Sequence, residues 1–146
     1  MNENLFQSLL LFKKSFHSLI NEQCQKFNLT GGELFLLGIL SKEGDLHQIE
    51  IAKHLDCDKA HIHRLTCKLM DKNLIALIDC HHGKNQKVHL TEEGQKITNS
   101  MDEIVSSVTR IVYKDVLPEE LNTTKQTIEK LGKNILEWKN KEKNNV

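Results

Sequence analysis

The stretch from Asp45 to Ile75, DLHQIEIAKHLDCDKAHIHRLTCKLMDKNLI, restricts the fold more than any other part of the chain. Its apolar residues fall at helical spacing twice. Ile49, Ala52 and Leu55 form one face; after Asp56-Cys57-Asp58, Ile62, Leu65 and Leu69 form another. Asp45 and Asp58 each precede a helical pattern, where a side-chain oxygen accepts from unpaired N–H groups of the first turn. Gln48, three residues after Asp45, completes a capping-box pattern. A three-residue break turns the second helix sharply across the first, which is helix-turn-helix geometry.

With Ile62 inward, a wheel of about 100° per residue turns Ala60, Arg64, Cys67 and Asp71 outward, with His63 and Lys68 on the flanks. Together with Lys59 and His61 they make a polar, cationic face rich in donors. A helix about 10–12 Å across fits the major groove of a duplex, which is about 12 Å wide. Arg64 has the fork that guanine O6 and N7 accept, Lys59 and Lys68 suit phosphates, and Ala60 permits close approach to a base. The same face also fits an ordinary solvated helix, so the rest of the chain has to decide.

At 146 residues the chain is long enough for one domain with a core and short for two. Charged residues at 27% and hydrophobic residues at 38% describe a soluble globular protein. No segment approaches the roughly 20 apolar residues of a membrane span, so no membrane partner is expected. The apolar run Leu9 to Phe12 precedes Lys13 and Lys14, the reverse of a signal peptide. The four cysteines, 24, 57, 67 and 80, form no C-x-x-C pair and read as reduced thiols in a cytoplasmic protein. Net charge is zero, but residues 53–87 hold seven lysines or arginines against four aspartates, a net of +3. The basic excess therefore falls on the candidate binding module.

From Asn4 to about Phe27 the residues Leu5, Leu9, Phe12, Phe16, Leu19, Ile20 and Phe27 mark a long amphipathic helix. Its apolar surface, with Phe6, Leu10 and Leu11, exceeds what one small domain needs. Asn28 is a left-handed stop, Thr30-Gly31-Gly32-Glu33 a capping box, and Leu34 to Leu40 a helix apolar nearly all round, hence buried. Gly44 breaks the chain. After Asn73, another left-handed cap, residues 74–79 and 87–90 read as strands of a hairpin with Gly83 at its tip. Thr91-Glu92-Glu93 opens one further helix with the stripe Ile97, Met101, Ile104, Val105, Val108, Ile111 and Val112. Pro118 marks the first turn of a last helix carrying Leu121, Ile128, Leu131, Ile135, Leu136 and Trp138.

This order of elements resembles the MarR-type winged helix-turn-helix transcription regulators over nearly the whole chain. The local matches are Leu29-Thr30 before the second helix, the helix-turn-helix with the first wing strand, VHLTEEG at Val88–Gly94, and LPEEL at Leu117–Leu121. The resemblance implies a mainly α fold with a small β-hairpin wing, in one domain over 1–146. Residues 30–90 would form the DNA-binding lobe, and 4–28 with 92–141 the dimerisation helices. It further implies a homodimer whose recognition helices enter successive major grooves of a pseudo-palindromic duplex, with half-sites about 10 bp apart. Repression is the commoner mode among similar proteins. DNA contacts would come from Lys59, Ala60, His61, His63, Arg64 and Lys68, with Lys84 and Asn85 in the wing. The family's wing tip is rich in arginine; here Gly83 and Lys84 stand instead, and lysine lacks the planar fork for minor-groove readout.

Cys80, His82 and His89 surround the hairpin, but a solvated wing carrying imidazoles accounts for them, and neither a metal nor a cofactor is expected. The zinc-dependent branch takes ligands from the start of the second helix and from the fifth. Leu34-Phe35 stand at the former, and no histidine follows His89. Cys57 reads as a packed thiol. Cys67, outward and flanked by Arg64 and Lys68, is the candidate redox switch. The peroxide-sensing branch uses a cysteine near the beginning of its first helix, whereas Cys24 lies near the end. The remaining means of control is a small apolar or aromatic effector lodged between the dimer helices and the DNA-binding lobes. An enzyme is not expected, since no triad, phosphate loop or carboxylate pair stands out. The rival reading is a winged-helix module that docks a protein and binds no DNA.

Overall fold

Polar caps decide where most of the helices begin. In the computed structural model, which describes residues 3–80 and 86–144, Thr30 Oγ1 accepts from the Glu33 N–H while the Glu33 carboxylate accepts from the Thr30 N–H. This reciprocal box opens α2 (Gly31–Glu43), which follows α1 (Glu3–Gln25). Asp58 caps α4 (Lys59–Asp71) through the His61 N–H, and Thr91 caps α5 (Glu92–Asn99) through the Gly94 N–H. Asn28, Asp56 and Asn73 stop α1, α3 (Gln48–Leu55) and α4, with φ at 55°, 49° and 57°. The strands β1 (Ile75–Asp79) and β2 (Gln86–Leu90) pair antiparallel, Leu77 facing Val88. After α5 come α6 (Met101–Val112) and α7 (Pro118–Asn144). The fold is mainly helical with one two-stranded hairpin, as the sequence led us to expect.

The chain divides into two compact units, residues 1–108 and residues 109–146. The core of the first is built from Leu36 and Leu37 of α2, Ile51 of α3, Ile62 and Leu69 of α4, and Val88 of β2, all fully buried. Cys24 and Leu29 close it beside α1. At Gly94 a Cβ would overlap the Leu74 carbonyl, so glycine alone lets α5 start against the α4–β1 corner. In the second unit the Leu117 N–H donates to the Glu120 carboxylate and Pro118 takes the first helical position. No helix among the described residues is long and apolar enough to cross a membrane.

The structure corrects four expectations. Asp45 does not cap α3; its carboxylate accepts from His89 Nδ1 at 2.8 Å. Leu46 pairs with Val88 in a β-bridge, which holds the backbone extended and delays the helix to Gln48. His47 is then the N-cap, and its N–H donates to Glu50, three residues on. Second, Ile51 and Ala52 carry the buried face of α3, whereas Ile49 is 58% exposed. Ile49 and Ile51 lie about 200° apart on a helix, so only one can face the core. Third, α2 is not buried all round, because Phe35 is 53% exposed. Fourth, the helix after Thr91 breaks at Ser100. Its N–H donates to the Ile97 carbonyl, and the Glu103 N–H to the Ser100 carbonyl, two tighter i→i+3 turns that separate α5 from α6.

Candidate nucleic-acid interface

The Asp58 carboxylate accepts from the His61 N–H at 2.7 Å, and this cap fixes the first turn of α4. Ile62, Leu65, Thr66 and Leu69 then turn inward, the Thr66 hydroxyl donating to the Ile62 carbonyl at 2.8 Å. Lys59, Ala60, His63, Arg64 and Lys68 are left exposed on one surface of the helix. His61 and Cys67 are half-buried. His61 leans away from that surface into a cleft of about 460 Å³ that it lines with Phe12, Phe16 and His17 of α1, Phe35 of α2 and Leu65. Cys67 is less open than the helical wheel implies, and its Sγ lies 3.6 Å from His63 Nε2. Lys84 and Asn85 of the wing lie outside the described residues, as do His81, His82 and Gly83.

Two contacts tie the wing to the start of the helix-turn-helix beside the Leu46–Val88 bridge. His47 Nδ1 donates to the Gln86 carbonyl at 3.2 Å, and His89 Nδ1 donates to Asp45. His89, which the sequence places on the hairpin with Cys80, thus has a carboxylate partner that spacing did not reveal. Among the described residues no three His, Cys, Asp or Glu side chains are placed to hold a metal ion. Sequence reasoning also missed the partner of Lys72, whose Nζ lies 2.8 Å from the buried Glu33 carboxylate. That pairing removes Lys72 from the cations free to meet phosphates. Thirty-nine residues separate the two, so no local pattern announces it. Burial pushes the Cys24 thiol above its ordinary pKa, and the Glu33 carboxylate pushes it further the same way.

Residues 29–81, from the start of α2 through β1, match the sequence model of the MarR family. Over that stretch, about a third of the chain, the sequence is similar to the MarR family. Solved structures with this fold include a MarR protein from Peptoclostridium difficile, 16% identical, with a TM-score of 0.80 over 92% of this chain and 89% of that one. A mutant E. coli MarR complexed with operator DNA is 18% identical, with a TM-score of 0.81 over 88% and 94%. Bordetella bronchiseptica BpsR, whose DNA binding is regulated by 6-hydroxynicotinic acid, is 18% identical, with a TM-score of 0.78 over 89% and 99%. At such identities these likenesses establish the fold alone, and the MarR match is confined to residues 29–81.

Proposed function

We propose that the protein is a sequence-specific regulator of transcription that binds a pseudo-palindromic duplex as a homodimer and represses by occluding it. The observation that carries this is the exposed face of α4. Ala60, His63, Arg64 and Lys68 point out together while Ile62, Leu65 and Leu69 hold the helix to its lobe. Ala60, Arg64 and Lys68 follow one another at four-residue steps, and the small side chain at the start of that row allows the helix to lie deep in the groove and read base edges. Lys84 and Asn85 would add wing contacts to the phosphates. Cys67 beside His63 is the place where oxidation would add bulk against the duplex.

The cleft beside α1 supports an effector reading. It is lined mostly by apolar and aromatic side chains, with Lys13, His17 and His61 among them, which suits a small aromatic acid. BpsR responds to a compound of that kind. Because His61 belongs to α4, a ligand there touches the recognition helix directly and favours one position of it. Selection of bound sequences from random duplexes, followed by titration at two salt concentrations, tests the main reading. A two-fold symmetric sequence bound with steep salt dependence is the expected result. No binding at either salt concentration would sink the reading and leave a protein-docking winged helix.

A further inference from the structure

Lys72 ends α4, yet its ammonium faces inward. Nζ donates to the Glu33 carboxylate at 2.8 Å and to the Asn28 carbonyl at 2.6 Å. The Glu33 side chain is 1% exposed and that of Lys72 29%. The same carboxylate oxygen accepts the Thr30 N–H that opens α2. One ammonium therefore joins the last turn of α4 to the end of α1 and the first turn of α2. Ile62, Leu65 and Leu69 decide which face of α4 turns inward, but apolar burial is non-directional and leaves sliding and tilt open. A charge-assisted hydrogen bond is short and directional, so it closes that freedom. An ion pair in such a place adds little stability over apolar packing, and its best-attested use is to fix register.

We infer that Lys72 is a positioning residue: with Glu33 and Asn28 it sets how α4 projects from the α1–α2 corner, and so where Arg64 meets the groove, without touching DNA. Arg64 lies eight residues earlier, about 12 Å along the helix axis. The inference rests on the DNA-reading proposal above. Replacing Glu33→Gln together with Lys72→Met removes the pair without stranding a buried charge. Affinity for the selected duplex then falls about tenfold, while affinity for random duplex and the salt slope stay as in the wild type. Lys72→Arg restores tight binding. Equal loss on both duplexes with a slope lower by about one would make Lys72 a phosphate ligand and overturn the inference. So would unchanged affinity in a double variant that circular dichroism shows to be folded. Acetylation of wild-type lysines supplies a measurement that needs no variant. Lys72 should label slowly with or without the duplex, whereas Lys59 and Lys68 are protected only by it. Protection of Lys72 by DNA, or labelling as fast as Lys59 in the free protein, overturns the inference. Should the selection return no duplex, the DNA reading itself fails, and slow labelling of Lys72 would then mark a purely structural pair.

Discussion

Arg64 and Cys24 show how far one side chain's fate is set by the face it stands on. Arg64 follows Ile62 by two positions, so burying one exposes the other. Its planar fork matches the two acceptors of one guanine in a fixed geometry, which the ammonium groups of Lys59 and Lys68 lack. Arg64→Ala should lower affinity for the selected duplex by about 1–3 kcal/mol and relax base preference at one position per half-site. Repeating the selection with the variant checks this; equal losses on selected and scrambled duplexes would refute base reading. Cys24 is the opposite case, fully buried beside the Glu33 carboxylate. Its thiol stays protonated where an unfolded chain would have lost the proton, so stability falls as pH rises past the ordinary value of 9.0. In native protein near pH 8, a thiol reagent should modify Cys57, Cys67 and Cys80 before Cys24, which reacts only on unfolding. A single common rate for all four would contradict the burial.

The helix-turn-helix stands on two hinge residues, Asp56 in the left-handed region and Asp58 at the N-cap of α4. Asp58→Ala should cost about 1 kcal/mol of stability, the usual worth of an N-cap. It should also weaken DNA binding, because the cap fixes the turn that carries Lys59 and Ala60. Urea denaturation and a duplex titration measure the two effects; an unchanged denaturation midpoint would deny Asp58 its capping role. Asp58 was legible in the sequence because its partner is three residues away, as were Thr30 with Glu33, Asn28 and Asn73. What escaped was set by residues far along the chain. The Leu46–Val88 bridge displaced the α3 cap from Asp45 to His47, and the choice between Ile49 and Ile51 depended on packing that neither residue announces. Of the candidate interface, the outward set on α4 could be read from the wheel. That His61 leans into a cleft against α1, and that Lys72 is held by Glu33, could not, since both depend on residues more than thirty positions away.

Toward each end of the chain a helix leaves a row of large apolar side chains open. On α1, Leu10 and Leu11 are 67% and 66% exposed, with Phe6 and Phe12 close behind. In the unit formed by residues 109–146, no side chain of α7 is fully buried, and all but the half-buried Leu121 are exposed. Its Leu121, Ile128, Leu131, Ile135 and Trp138 recur at seven-, three- and four-residue steps, the seam of a helix that packs against another helix. At about 1.5 Å per residue that seam is long, and surfaces of this kind mark a protein partner. Under the proposed function that partner would be a second copy, since pairing would double the cations facing one duplex and let two half-sites add their affinities. Sedimentation equilibrium at micromolar concentration should therefore give about twice the 16.8 kDa of one chain. Ile135→Glu places a charge on the seam and should shift the mass toward one chain. Because a monomer engages one half-site, the same variant should halve the salt slope on the selected duplex. A wild type that sediments as one chain would remove the reason for two-fold symmetry in the site. A dimeric Ile135→Glu protein with full DNA affinity would instead move the contact away from α7.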